Sequence, residues 1–222
     1  MDVPVNVLAE RARAGELTRL GIMGGTFDPP HLGHLACAEE ARQVFGLDTV
    51  LFVPTGRPAF KQDRLVTAGE VRLAMVAAAM DGNPAFAVSA LEVERPGITY
   101  AVDTLRELRV ELPGVELVFI VGADAALTLP RWHESAELGR LAMFAAATRP
   151  GFELGEEALR ALRERRFDVR PFVVPGIDIS SSELRQRVAE GRTIRYLVPE
   201  AVHEIIEEEQ LYRKEADHGR LA

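Results

Sequence analysis

The sequence predicts an α/β protein: a doubly wound, mostly parallel sheet with helices on both faces. Three observations lead there. Short apolar runs such as RLGIM, TVLFV and ELVFIV recur along the chain. Segments with helical apolar spacing stand between them. The runs are continuously apolar rather than alternating, as strands buried on both faces must be, and helix-separated strands of that kind run parallel.

The first strand is expected at Arg19–Met23 and ends at Gly24 and Gly25. A helix follows over His34–Phe45, with Leu35, Ala38, Ala41, Val44 and Phe45 on one stripe and Gly46 as its stop. Thr49–Val53 reads as the second strand, closed by Pro54. The next helix is expected over Ala68–Met80, with Thr67 as N-cap and Glu70 completing a capping box. A strand at Phe86–Val93, a helix at Ala101–Leu112 and a strand at Glu116–Val121 come next. A short helix at Glu134–Leu138 precedes a strand at Ala142–Ala147, and a charged helix at Glu156–Arg166 precedes the last strand, Val169–Val174. Helices at Ser182–Glu190 and Pro199–Glu209 close the fold, with Pro199 in a favoured first-turn position. One domain is expected over residues 18–212, with 1–17 as an N-terminal extension and 213–222 as a frayed polar tail.

At 222 residues, 47% of them hydrophobic, the chain can bury a core without a metal or disulfide staple. Its net charge of −8 leaves no broad basic face, so nucleic acid is not an expected partner. Phosphorylated small molecules remain, because they need only local donors. Cys37 is the only cysteine, which rules out an internal disulfide, argues against cysteine-bound zinc and fits the reducing cytoplasm. No apolar run approaches the roughly 20 residues of a membrane span, and the N-terminus lacks a signal-like apolar core. The expectation is a cytoplasmic protein with no membrane partner; its oligomeric state is not read from the sequence.

In parallel sheets, ligands bind beyond the carboxyl ends of the strands, where strand order reverses. Attention therefore falls on residues 24–34, 54–61, 122–124 and 175–185. The first of these is GGTFDPPHLGH, Gly24–His34. Gly24 and Gly25 let the backbone turn and expose its amides, together with those of Thr26 and Phe27. His31 and His34, three residues apart, share a face of the first helical turn. Gly33 removes a side chain where a phosphate would approach. The helix start adds unpaired N–H groups and a partial positive charge. The sum is an anion site.

This segment carries the pattern of the HxGH nucleotidyltransferase superfamily. More closely, it resembles the bacterial nicotinate mononucleotide adenylyltransferases, whose hallmark GGTFDPPHxGH it matches across all eleven positions, Gly24–His34. The resemblance implies a Rossmann-like fold and transfer of AMP from ATP to nicotinate mononucleotide. The products would be nicotinate adenine dinucleotide and pyrophosphate, a step of NAD biosynthesis. No GxxxxGK[ST] and no GxGxxG is present, which argues against a P-loop NTPase or a classical dehydrogenase.

Ile179–Arg185, ISSSELR, opens a helix after the last strand. The hydroxyls of Ser180, Ser181 and Ser182 can cap that helix or donate to phosphate oxygens. Arg185 shares their face and can clamp phosphates. The segment resembles the family's ISSTxIR motif, which implies that Ile179–Ser182 and Arg185 hold the β- and γ-phosphates of ATP. Ser182 stands for the motif's Thr and Leu184 for its Ile. In Pro58-Ala59-Phe60-Lys61 the family's phosphate-reaching lysine is kept as Lys61, while the histidine before it is missing.

For the second substrate, Asp124 follows the strand Glu116–Val121, where a carboxylate accepts ribose hydroxyls. Trp132, the only tryptophan, offers a face for a flat heteroaromatic ring. The resemblance implies that Gly122 and Asp124 line the adenosine pocket, that Trp132 packs on the pyridine ring, and that Thr99 and Tyr100 lie near its carboxylate. Arg131 and His133 flank Trp132 and add positive potential. Mg²⁺ is expected to arrive with ATP, with no protein ligand beyond a role for Asp28. Two other readings stay open: a superfamily member using another phosphate-bearing acceptor such as pantetheine phosphate, and a catalytically silent nucleotide-binding module.

Overall fold

The computed structural model describes residues 5–58, 66–149 and 154–213. Its centre is one fully parallel six-stranded sheet of β1 (Arg19–Gly25), β2 (Thr49–Pro54), β3 (Phe86–Val88), β4 (Glu116–Gly122), β5 (Met143–Thr148) and β6 (Val169–Val173). The spatial order is β3-β2-β1-β4-β5-β6. The predicted doubly wound architecture is therefore present, with its reversal between β1 and β4.

At that reversal the sheet splits. β1 pairs with β2 as far as Gly25↔Pro54, but with β4 only as far as Ile22↔Phe119. The last residues of β1 thus part from β4 and open a crevice between Gly24–Gly25 and the end of β4.

The helices are α1 (Val5–Arg13), α2 (Leu32–Phe45), α3 (Gly69–Ala79), α4 (Leu91–Glu94), α5 (Ala101–Glu111), α6 (Ala123–Thr128), α7 (Ser135–Leu141), α8 (Glu156–Glu164), α9 (Ser181–Ala189) and α10 (Glu200–Glu208). Alternate residues of the strands point to opposite faces. Leu20, Ile22, Leu117 and Phe119 meet α1, α5, α6, α7 and α8 on one face. Val50, Phe52, Val118 and Ile120 meet α2 and α3 on the other. Gly21 keeps β1 flat against that second layer, since a Cβ there would lie 2.7 Å from Leu47 Cδ1. A third cluster joins α3, α9 and α10 through Met75, Leu184, Val202 and Ile206. No helix among the described residues is long and apolar enough to cross a membrane.

Several expectations change. The segment read as an extension contributes α1, whose Leu8 and Ala9 are buried in the first core cluster. Val44 lies on the exposed side of α2, at 52% exposure, so the buried stripe is carried by Ala38 and Ala41. Thr67 does not cap α3; Ala68 holds that position without a side-chain bond, because Thr67 is drawn into contacts with Asp28 and Arg72. The strand expected over Phe86–Val93 stops at Val88, where Ser89 Oγ accepts the Leu91 N–H and starts the short helix α4. α6 and the 3₁₀ turn Leu129–Arg131 that follows it have no counterpart among the expected elements, being too short to show an apolar period.

Candidate active site

A cleft of about 710 Å³ opens at the carboxyl ends of β1, β4 and β5, where the sheet splits. Gly24, Gly25, Thr26, Phe27, His31, Gly33 and His34 line one wall, and Ile179, Ser180, Ser181, Ser182 and Arg185 line the facing one. Thr99, Tyr100, Gly122, Trp132 and His133 line the far end. Asp124 is exposed in the first turn of α6, between Gly122 and Ala125, which line the cleft, and Arg131 is exposed beside Trp132. Lys61 lies outside the described residues.

The two imidazoles meet face to face. His31 is the N-cap of α2 and His34 sits in its first turn; their ring centroids are 3.7 Å apart at 28°. His34 Nδ1 accepts the His31 backbone N–H at 3.2 Å, while Phe27 packs edge-on against the His34 ring at 5.0 Å. Phe27 holds this place from a left-handed backbone, φ +50°. Gly33 leaves room for the stack: a Cβ there would lie 3.0 Å from His31 Nδ1. That nitrogen is buried with no hydrogen-bond partner among the described residues. Buried orphaned polar atoms are rare in folded proteins and each calls for a functional explanation.

Burial disfavours the charged form of both rings. For His31 it acts first and the nearby Arg149 second, lowering its pKa to about 4. For His34 it acts first and His31 second, lowering its pKa to about 3. Both rings are therefore neutral at neutral pH.

The second motif is bound to the first. Ser180 caps α9 by accepting the Glu183 N–H at 3.2 Å. Ser181 Oγ donates to the Pro29 carbonyl at 2.8 Å, which ties the two motifs together. Arg185 donates to the Asp28 carbonyl through Nη1 and to Ser182 Oγ through Nη2. Ser180 and Ser182 accept in these bonds, so their own protons remain to be given to a ligand.

The far end is assembled from side chains. Trp132 is half-buried, donates Nε1–H to Thr128 Oγ1 at 3.0 Å and meets Phe119 edge-on at 6.2 Å. Tyr100 stacks on His133 with centroids 4.1 Å apart. Thr99, 5% exposed, does not cap α5; its hydroxyl donates to the Arg57 carbonyl. Beside it, Glu92 is buried against Thr104 Oγ1, 2.7 Å away, and burial raises its pKa.

Four residues of this region were missed. Arg149 follows β5 at its carboxyl end and lines the cleft, paired with Asp178 across the rim. The strand-end rule that singled out Gly122 applies to it equally. Glu92 also lines the cleft, but it stands in what was read as a strand. Arg72, 1% exposed, donates to the carbonyls of Thr26, Gly56 and Thr67. Tyr212 bonds Asp28. Neither of the last two sits in a motif, and both contacts span distances that no local pattern reveals. Cys37 touches the cleft, but burial pushes its thiol up to about 12, so it is no nucleophile.

The family model for cytidylyltransferase-like proteins matches residues 22–187. A relative from Herpetosiphon aurantiacus, named "Probable nicotinate-nucleotide adenylyltransferase", is 46% identical over 200 residues, covering 88% of this chain and 99% of that one. A relative of the same name from Moorella thermoacetica is 48% identical over 203 residues, covering 90% and 94%. The chain belongs to the nicotinate-nucleotide adenylyltransferase family. Among solved structures, the Plasmodium falciparum nicotinic acid mononucleotide adenylyltransferase complexed with NaAD superimposes with a TM-score of 0.71 at 20% identity, over 88% of this chain and 97% of that one. The same protein complexed with APC gives 0.71 at 19% identity, with the same coverage. At such identity the likeness speaks for the fold of the adenylyltransferase family.

Proposed function

We propose that the protein transfers AMP from ATP to nicotinate mononucleotide, releasing pyrophosphate and forming nicotinate adenine dinucleotide. The observation that carries this reading is the stacked His31–His34 pair, which faces the same cleft as Ser180–Arg185 and, at its far end, the Tyr100 and Trp132 rings. One end suits a polyphosphate and the other a flat ring.

The attacking group is a phosphate oxygen of the mononucleotide. With a second pKa near 6 it is ionised at neutral pH, so no general base is needed. Its bond to the α-phosphorus forms as the bond from that phosphorus to the bridging oxygen of the β-phosphate breaks, and pyrophosphate leaves with the electron pair. The protein's task is to hold two polyanions in line and to stabilise the charge that builds during transfer. His31 and His34, taking up protons as phosphates approach, stand at the α-phosphate; Arg185 and the hydroxyls of Ser180 and Ser182 hold the outer phosphates. Lys61 is assigned to the same phosphates by its place in the motif. Gly24, Gly25 and Gly33 keep the wall thin enough for close approach.

MgATP is the substrate form. Among the described residues no cluster of three or more His, Cys, Asp or Glu side chains suits a metal ion. Asp28 spends its carboxylate on Tyr212 and Thr67. No step is assigned to a protein-held metal. The lone cysteine and the small anionic substrates agree with a cytoplasmic enzyme.

The test is pyrophosphate release by the purified protein, with ATP and a panel of phosphate-bearing acceptors. The fastest release is expected with nicotinate mononucleotide, ahead of nicotinamide mononucleotide and pantetheine phosphate. Preference for another acceptor, or ATP binding without turnover on any, would overturn the reading.

A further inference from the structure

The last described turn of the chain packs beside the phosphate end of the cleft, where Tyr212 lines a second pocket with Ser180, Ser182 and Arg185. Tyr212 follows α10, is half-buried and packs with Leu211 against the α3–α9–α10 cluster. Its hydroxyl donates to Asp28 Oδ1 at 2.7 Å and is also bonded to the Thr67 side chain. Asp28 Oδ2 accepts the Thr67 N–H at 3.5 Å and lies 4.0 Å from Arg185 Nη1. Thr67 is itself held, because its carbonyl accepts from Arg72 Nε at 2.8 Å. Asp28 is 4% exposed, so the choice of partners for its carboxylate is limited to these neighbours.

A buried carboxylate goes where it is satisfied. With Tyr212 on one oxygen and Thr67 on the other, the Asp28 carboxylate meets Arg185 only as a long ion pair of 4.0 Å, while the guanidinium bonds the Asp28 backbone carbonyl and Ser182. Two guanidinium groups face that carboxylate: Arg72, already held by the carbonyls of Thr26, Gly56 and Thr67, and Arg185, 4.0 Å away and the one that can close on it when the tyrosine hydroxyl is gone. A charge-assisted bond of that kind would draw the guanidinium onto the carboxylate and away from a ligand. Burial, followed by the bond to Asp28, raises the pKa of Tyr212, so the hydroxyl stays a donor across the neutral range.

We propose that Tyr212 is a positioning residue: by occupying Asp28 it keeps Arg185 aimed at the polyphosphate of ATP. This rests on the reading of the cleft given under the proposed function. It assigns the carboxyl-terminal turn a part in substrate binding although Tyr212 lies 27 residues beyond Arg185 in sequence and in neither motif.

Tyr212→Phe removes the hydroxyl and keeps the ring. KM for ATP is expected to rise about tenfold, the order of one hydrogen bond to a charged group, with KM for nicotinate mononucleotide unchanged. Calorimetry with a non-hydrolysable ATP analogue should show Kd rising by the same factor. In an Asp28→Asn background, where a neutral amide no longer attracts the guanidinium, the same substitution should add less than about twofold. Wild-type ATP affinity in Tyr212→Phe would overturn the inference. So would an equal loss for both substrates, or an undiminished tenfold effect beside Asp28→Asn. A wild-type protein that bound the analogue but transferred no AMP would sink the proposed reaction, while the ratio of the two Kd values would still decide the role of Tyr212.

Discussion

The two ends of the cleft are built differently. At the phosphate end, two distant motifs are hydrogen-bonded to each other through backbone groups: Ser181 to the Pro29 carbonyl and Arg185 to the Asp28 carbonyl. The histidine pair there is fixed by the start of a helix and by a glycine that leaves room for the ring. At the pyridine end, the surfaces come from side chains on separate elements, Tyr100 against His133 and Trp132 against Phe119. Charge stabilisation demands donors held to fractions of an ångström, whereas a stacking surface tolerates more freedom. Damage at the first end should therefore appear in kcat, and damage at the second in KM for the mononucleotide.

The largest effect expected is on His34. His34→Ala should lower kcat by about 10²–10³, the usual size for losing one preorganised donor, as read by single-turnover transfer of AMP. A near-normal kcat would dissolve the contrast between the two ends. Gly33→Ala sharpens it: the added Cβ pushes on the His31 ring, and kcat should fall roughly tenfold from the misplacement. Because Ala favours helix more than Gly, the melting temperature should hold or rise, separating the loss of activity from a loss of stability. Trp132→Ala should raise KM for nicotinate mononucleotide by up to about tenfold, the worth of one aromatic stack, with kcat close to wild type. A fall in kcat alone would move Trp132 to the chemical end.

A separate effect falls on stability. Unfolded imidazoles bind protons near 6.5, whereas His31 and His34 in the fold wait until about 4 and about 3. The unfolded state thus takes up more protons between these limits, so stability is fully present above pH 6.5 and falls as the pH drops toward 3. Urea unfolding at pH 7 and pH 5 should show this loss, and replacing both histidines by Gln should reduce it. An identical pH dependence in the double variant would contradict the buried neutral pair.

The same contrast governs how much could be read in advance. The parallel sheet and the phosphate wall follow from local signals: apolar runs, and the motif residues Gly24–His34 and Ile179–Arg185, which lie at strand ends. The architecture of the far end was less legible. Thr99 bonds Arg57, because the Arg57–Pro58 and Ile98–Thr99 backbones pair there, a pairing that no local pattern announces. Asp124 lies in the exposed first turn of α6, a helix no periodicity announced. Arg72 and Tyr212 act across 46 and 184 residues of sequence, through bonds to Thr26 and Asp28 that only the packed core creates.

One observation goes straight to the idea on which the chemistry depends, that the stacked pair begins uncharged and gains charge from its ligand. Nitrogen-15 shifts of the His31 and His34 imidazoles would be recorded at pH 7 with and without a non-hydrolysable ATP analogue. Both rings should be neutral alone, and at least one should become an imidazolium when the analogue binds. Two rings that stay neutral in the complex, or that are already charged without it, would contradict the account.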